Sequence, residues 1–262
     1  MIERIKRIVK RDGFFGFVYK IYLFLKEKYL LAPCRKVFVS LPQPLKLLFS
    51  RKIKNFKSDN IDKVINYSFN VLGGLIRPMQ IREEFEGFLK VFKEKAPNTI
   101  LEIGTANGGS LFALCKLAPE NALIISIDLP EGEFGGGYPE WEVPIYKYFK
   151  KESQQLFLLR EDSHLETSLN KIKEILNGKQ VDFLFIDGDH SYEGVKKDFE
   201  MYAPLVKKGG VIAFHDVAPN GLRNLTGGVP IFWKEIKDNY KYREFVKDQM
   251  QVGFGIGCLY LK

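Results

Sequence analysis

Five short apolar runs recur along the second half of the chain, each closed by a polar or glycine-bearing loop. They are Thr99–Gly104, Ala122–Asp128, Leu156–Arg160, Asp182–Asp187 and Gly210–His215. Helix-compatible stretches lie between them, at Ser110–Leu117, Pro144–Glu152, Leu165–Leu176 and Tyr192–Leu205. Near-continuous apolar strands separated by helices predict a parallel sheet buried on both faces. A helix is predicted next, over Pro230–Asn239, followed by strands near Arg243–Lys247 and at Gly257–Leu261. The last two can pair as a hairpin and add an antiparallel strand to the sheet. The expectation is an open α/β fold with ligand chemistry at the carboxyl ends of its strands.

Upstream the pattern changes. Residues 1–60 form a basic, aromatic N-terminal arm in which Phe14, Phe15, Phe17, Tyr19, Tyr22, Phe24 and Tyr29 interleave with Arg11, Lys20, Lys26 and Lys28. Residues 61–95 read as a helical lead-in broken at Gly73-Gly74 and Pro78, and residues 96–262 as the catalytic domain. No internal repeat interrupts this order.

Charge sharpens the division. Residues 1–58 hold 15 Lys+Arg against Glu3, Asp12 and Glu27, a net of +12, whereas the whole chain of 262 residues carries +8. The remainder is therefore acidic, with a net of −4. A hydrophobic share of 45% and a charged share of 27% exclude global disorder. Cys34, Cys115 and Cys258 are odd in number and lack metal spacing, which argues against a disulfide framework or a cysteine zinc site. That usage suits a reducing, cytoplasmic setting. The run Phe14–Leu25 is broken by Lys20 and is too short to span a bilayer, so no spanning segment or secretory signal is expected.

The first apolar run leads into Ile100-Leu-Glu102-Ile-Gly104-Thr105-Ala-Asn-Gly108-Gly109-Ser110. Gly104 permits a tight turn, and Gly108 and Gly109 allow close backbone approach where the helix starts. The spacing G-x-x-x-G-G is not the G-x-G-x-x-G of dinucleotide binding. Glu102 would repel a pyrophosphate but can accept from an ammonium, so a zwitterionic tail carrying a sulfonium suits the loop better. Asp128 ends the second run, where an acid can accept from two ribose hydroxyls. Asp162-Ser163 follows the third run, where an acid can take an adenine amino group. Each acid could instead only cap a helix. Three acids at three successive strand ends read together as a nucleoside-shaped site.

With these residues in place the chain resembles the class I S-adenosylmethionine-dependent methyltransferases. Within them it is similar to the group of macrocin-type sugar O-methyltransferases and cephalosporin-hydroxylase-like proteins. The resemblance rests on Leu101–Ser110 (LEIGTANGGS), Phe185–Glu193 (FIDGDHSYE) and Gly209–Val217 (GGVIAFHDV), and covers about residues 75–262. It implies a Rossmann-like class I methyltransferase sheet, mostly parallel, of seven strands with an antiparallel C-terminal strand, plus a helical N-terminal extension. It also implies S-adenosylmethionine as cofactor, bound by Glu102, Gly104, Thr105, Gly108, Ser110, Asp128, Asp162 and Ser163.

Two further strand ends deliver Asp187-Gly188-Asp189-His190 and His215-Asp216. Neighbouring parallel strands would place Asp187 and Asp216 close together, where two carboxylates repel unless they share a proton or hold a cation. A hard divalent ion such as Mg²⁺ would resolve the repulsion. The resemblance implies the same, because related enzymes bind a metal with acids at these two ends. Where some relatives have a further acid, this chain has His215, so the expected metal set is Asp187, His215 and Asp216. Whether His215 is a ligand or supports one stays open, and an imidazole there would also admit Mn²⁺. The alternative is two acids satisfied by backbone amides and lysines. His190 lies three residues past Asp187, and imidazole suits the removal of a hydroxyl proton during methyl transfer. His190 and Asp187 are thus the expected catalytic pair, with helix capping as the structural alternative for His190. His164, beside Asp162, is adenine-proximal or a surface residue.

Three loops could shape an acceptor pocket. Glu131–Trp141 offers glycine hinges with Phe134, Tyr138 and Trp141, which suits a lid over a sugar face. Asn220–Gly228 carries Arg223, and Arg77-Pro78-Met79-Gln80 could reach over the cofactor. The expected activity is a metal-assisted O-methyltransferase acting on a hydroxyl of a sugar or glycosylated small molecule. The competing readings are a nicotinamide-dependent oxidoreductase, disfavoured by Glu102 and the loop spacing, and a non-catalytic membrane- or nucleic-acid-binding module on a methyltransferase core. Residues 1–58 suit an anionic membrane surface at the inner face. The acidic segment 131–141 argues against a nucleic-acid substrate. Packing of the arm's aromatics on the core or on a second copy, as in a homo-oligomer, is the other reading.

Overall fold

The computed structural model describes residues 50–130, 137–219 and 227–262. A helical turn at 50–54 leads to α1 (Ile61–Asn70) and α2 (Arg82–Lys95). There follow β1 (Thr99–Ile103), α3 (Gly109–Leu117), β2 (Leu123–Asp128), the short α4 (Val143–Tyr146), β3 (Gln155–Arg160) and α5 (Glu166–Leu176). The chain continues through β4 (Val181–Ile186), α6 (Tyr192–Tyr202), β5 (Val206–His215), α7 (Val229–Ile236), β6 (Lys241–Phe245) and β7 (Ile256–Tyr260).

The seven strands form one sheet in the order β3-β2-β1-β4-β5-β7-β6. The first five are parallel, and β7 runs antiparallel to both β5 and β6. Strand order reverses at β1, where the first crossover leaves the sheet, and ligands of such sheets bind beside that reversal. Side chains alternate across the sheet. Ile100, Ile124, Phe183, Phe185 and Ala213 face a core shared with α1, α2 and α3. Leu101, Ile125, Leu184, Ile212 and Leu259 face the second core, with α5, α6 and α7. The helical lead-in is thus part of one face of the sheet, with Phe88 of α2 packed edge-on to Phe183 at 5.6 Å.

Most expected elements appear within a residue or two. The expected helix Pro144–Glu152 is shorter, because Val143–Tyr146 is followed by turns. There the Lys150 ammonium, at 3.0–3.1 Å, satisfies the carbonyls of Glu152 and Gln154 that a longer helix would have turned along its axis. The hairpin differs in a second way, since its later strand lies inside the sheet and its earlier strand at the edge. β7 is buried along four of its five residues, whereas β6 is exposed along four of five. Only the apolar strand can stand with a neighbour on each side.

Register places the loops that matter. Ile103 lies level with Ile186, and Ile186 with Phe214. The next residues, Gly104, Asp187 and His215, therefore lie side by side at the carboxyl edge, where His215 is the last paired residue of β5.

Candidate active site

The cofactor half is built around the turn after β1. Gly104 has φ +92°, and a Cβ there would lie 1.9 Å from the Asp187 carbonyl oxygen. No larger residue fits between the ends of β1 and β4. Gly109 opens α3 where a Cβ would meet the Pro78 nitrogen at 2.4 Å and the Ile76 carbonyl at 2.5 Å, so the lead-in peptide lies directly on the helix start. Asp128 holds the loop from the neighbouring strand, its Oδ2 accepting from the amides of Thr105 at 2.8 Å and Ala106 at 2.6 Å. The Tyr146 hydroxyl supports the same loop, 2.9 Å from the Ala106 carbonyl.

Glu102 is fully buried beneath this loop. Its Oε2 accepts from Ser126 Oγ at 2.6 Å, and Ser126 is paired in turn with Thr105 Oγ1 at 2.6 Å. Its Oε1 is buried with no hydrogen-bond partner. Burial pushes the carboxyl up to about 8, against the opposing hydroxyls of Ser126 and Ser110. Such a group is set to ionise when a cation arrives, and an amino-acid ammonium supplies both the charge and the missing donor. The residues present therefore fit a cofactor with a methionine-like tail.

The third strand end is arranged otherwise than expected. Asp162 Oδ1 accepts from the His164 amide at 2.8 Å, a local turn. Ser163 Oγ donates to Asp198 Oδ1 of α6 at 2.7 Å, and the Ser163 carbonyl accepts from Tyr202 at 2.6 Å. The part-buried Ser163 hydroxyl thus spends its proton on Asp198, so toward a cofactor it could only accept. His164 Nε2 sits 3.3 Å from the same Asp198, and this hydrogen bond raises the imidazole above its ordinary range.

In the catalytic half, donor atoms of Asp187, His190 and Asp216 all lie within 4.8 Å of one another. His190 Nδ1 is 3.1 Å from Asp216 Oδ2, and its Nε2 is 3.8 Å from Asp187 Oδ1. Asp216 reaches the cluster by turning back at φ +64°, a left-handed conformation that Asp tolerates better than most residues. Register sets His215 beside Asp187, with Nδ1 3.0 Å from Asp187 Oδ1 and 3.5 Å from Asp216 Oδ1. Burial by itself lowers the His215 imidazole, but the charge and hydrogen bond of Asp187, with Asp216, overcome it and raise the group to about 9. Burial also raises Asp216, with Asp187 adding to the effect and His215 opposing it. The His215 imidazole thus lies between the two carboxylates that would otherwise repel. His215 Nε2 is buried with no hydrogen-bond partner.

Against the expected metal set of Asp187, His215 and Asp216, the compact trio contains His190, and His215 stands behind it as a partner of both acids. A mixed nitrogen and oxygen donor set with two carboxylates fits a divalent cation. Helix capping, the structural alternative for His190, is taken by Ser191, whose Oγ accepts from the Gly194 amide at 2.9 Å. The backbone of His190 is fixed from the far side, since its carbonyl accepts from the Gly228 amide at 2.7 Å.

The expected lid is corrected in part. Tyr138 is buried in the core, 4.9 Å from the ring of Tyr146, and offers no free face to a sugar. Phe134 and Arg223 lie outside the described residues. Gln80, expected to reach over the cofactor, instead donates through Nε2 to Asp187 Oδ2 at 2.6 Å. Two further contributors were not singled out from the sequence. Phe254, at φ +60°, sets its ring 6.1 Å from that of His215. Glu84 of α2 is buried and accepts from Lys247 N at 3.0 Å, Gln251 Nε2 at 2.5 Å and Gly255 N at 2.9 Å, tying the β6–β7 loop to the lead-in. Ser126 did carry a signal, as the one polar residue inside the run LIISI.

Comparison with known proteins bears on the fold and the domain. A family described as a methyltransferase domain matches residues 101–217, from β1 through the residue after Asp216. The chain is 29% identical over 143 residues to the uncharacterized protein y4gI of Sinorhizobium fredii, covering 53% of this chain and 15% of that one. It is 30% identical over 126 residues to caffeoyl-CoA O-methyltransferase of Medicago sativa, covering 48% and 47%. The chain thus spans less than half the length of these two relatives. An O-methyltransferase from Bacillus cereus, solved with S-adenosylhomocysteine, superposes with a TM-score of 0.50 at 17% identity over 82% of this chain and 96% of that one. Residues 101–217 match a methyltransferase domain, and the seven-stranded order is that of the class I S-adenosylmethionine-dependent methyltransferase fold.

Proposed function

We propose that the protein transfers a methyl group from S-adenosylmethionine to a hydroxyl of a sugar or glycosylated small molecule, with a divalent cation assisting. The observation that carries this reading is the Asp187–His190–Asp216 cluster, one sheet position away from the Glu102–Gly104 turn. Asp216 orients His190 through Nδ1 at 3.1 Å, and Nε2 is the atom assigned to take the acceptor's hydroxyl proton. The hydroxyl oxygen then attacks the sulfonium methyl in line. The O–CH₃ bond forms as the S–CH₃ bond breaks, the electron pair stays on sulfur, and the products are S-adenosylhomocysteine and the methyl ether. Asp187 and Asp216 would hold the cation through their carboxylates, with His190 next to it. When bound it supplies Lewis acidity that makes the hydroxyl a better nucleophile. Glu102 binds the cofactor's ammonium, and the loop held by Asp128 positions its tail.

A second acceptor class is favoured by one residue. Phe254, a partly exposed aromatic residue next to His215, suits a planar phenolic acceptor, and the Medicago sativa relative is named a caffeoyl-CoA O-methyltransferase. The test is S-adenosylhomocysteine release with sugar and phenol acceptor panels, with Mg²⁺ or EDTA, for wild type and His190→Ala. Release unaffected by His190→Ala across every active acceptor would overturn the proposed base. Equal rates with Mg²⁺ and EDTA would remove the cation.

Among the described residues no helix is long and apolar enough to cross a membrane. The +12 of residues 1–58 supports a peripheral role at an anionic, inner-face membrane surface, with a second copy as the other partner for the arm. Flotation on vesicles with and without phosphatidylserine, for the full chain and a chain lacking residues 1–49, decides. Equal flotation of both chains would end the membrane role.

A further inference from the structure

We infer that Gln80, which lies outside the matched methyltransferase domain, is a positioning residue that sets the affinity of the Asp187 cluster for its cation. The inference rests on the cation reading above. Gln80 is only 6% exposed, and its Nε2 donates to Asp187 Oδ2 at 2.6 Å. The orientation of the amide follows from chemistry, since the flipped form would set its carbonyl oxygen against a carboxylate oxygen. Asp187's other oxygen, Oδ1, faces His215 Nδ1 at 3.0 Å and His190 Nε2 at 3.8 Å. A carboxylate turns about its last bond between two nearly equivalent orientations. Gln80 removes that freedom by holding one oxygen, and so presents the other to the cluster.

The strut behind Gln80 is stiff. Pro78 and Ile76 lie on the Cα of Gly109 with no room for a Cβ, and Asn107 Nδ2 donates to the Arg77 carbonyl at 3.3 Å. Glu84, one helical turn further on, is anchored to the β6–β7 loop. A second observation points into the same space. Gln80 Oε1 is buried with no hydrogen-bond partner, and it belongs to the amide that touches Asp187. An unmet buried acceptor costs about 1–3 kcal/mol. A cation entering the cluster brings bound water, and water is the donor this oxygen lacks.

The test is titration of Mn²⁺ into the full-length protein, followed by the electron paramagnetic resonance signal of free Mn²⁺. Wild type is compared with Gln80→Met, which keeps the length and packing of the side chain without its amide. S-adenosylhomocysteine affinity is measured on both proteins by calorimetry. The expected result is Mn²⁺ binding about tenfold or more weaker in Gln80→Met, with cofactor-product affinity within about twofold of wild type. Mn²⁺ affinity equal in the two proteins overturns the inference alone. Parallel loss of Mn²⁺ and S-adenosylhomocysteine binding also overturns it, because Gln80 would then be a packing residue. Wild type that binds S-adenosylhomocysteine but no Mn²⁺ removes the cation reading and the inference together.

Discussion

Replacing Gly104 by Ala tests the central geometric claim, that the cofactor turn and the catalytic strand end share one contact. Two costs separate cleanly. The first is conformational, because φ +92° is a left-handed backbone that costs an L-residue about 1–2 kcal/mol. The second is steric. The new Cβ would lie 1.9 Å from the Asp187 carbonyl oxygen, whereas an ordinary carbon–oxygen contact is about 3.3 Å. The ends of β1 and β4 must part by more than an ångström, which breaks the Asp187 N–H···O=C Ile103 hydrogen bond of 2.8 Å. Overpacking of this kind costs about 1–3 kcal/mol and the lost hydrogen bond about 1 more. Gly178→Ala is the matched control, with φ +79° and nothing within 4 Å of its new Cβ. It carries the first cost without the second. At about 2–4 °C per kcal/mol for a chain of this size, Gly178→Ala should lower the melting temperature by a few degrees and Gly104→Ala by about 10 °C or more. Calorimetric titration with S-adenosylhomocysteine should show at least a tenfold loss for Gly104→Ala and none for Gly178→Ala. Equal thermal shifts in the two variants would show that the β1–β4 contact does not exist as described.

Other expectations follow from the buried groups. Glu102 is raised from 4.5 to about 8, so the folded state keeps a proton that the unfolded chain has released. Its contribution is therefore complete below about pH 4.5 and is lost as pH rises through about 8. Melting scans from pH 5 to 9 should fall more steeply for wild type than for Glu102→Gln, and matching slopes would contradict the assignment. Cofactor binding should also release protons near pH 7, read as a dependence of calorimetric heat on buffer ionisation that Glu102→Gln abolishes. Glu84→Ala leaves three donors of the β6–β7 loop without their acceptor, a loss of about 3 kcal/mol. Hydrogen exchange should quicken across residues 247–255, and unchanged protection would mean that something other than Glu84 holds the loop. Burial raises both Cys115 and Cys258, the latter to about 12. Neither should react with iodoacetamide until the protein unfolds, and labelling of either in the native state would contradict their burial.

Much of the fold was legible because its strands are unambiguous. Runs such as TILEI and VDFLFI are too apolar for any place but a sheet covered on both faces, and their loops carry the chemistry-bearing residues. Glu102, Asp128, Asp187 and Asp216 could be placed by counting strand ends. What could not be counted was the direction of each side chain after its strand. Asp128 spends one oxygen on the amides of Thr105 and Ala106. Ser163 turns to Asp198, because α6 brings a buried carboxylate within reach of its hydroxyl. Tyr138 belongs to the core for a similar reason, since the aromatic wall of Tyr146 is already there. Gln80 was expected over the cofactor and not against Asp187, and Glu84 escaped notice because a polar residue in the first turn of a helix is ordinarily solvated. Their partners lie 107 and up to 171 positions away, and no local pattern carries that information.

The peptide Ile76–Gln80 presses on the start of α3 with one end and holds Asp187 with the other. The glycine turn and the carboxylates thus share one strut. If a cation binds at the carboxylates as proposed, a shift of that strut by either ligand would be felt at the other site, and any tightening of one by the other must be returned by an equal factor. A methyl donor and its activating ion would then gather in one sequence of events, and their departure after turnover would be linked in the same way.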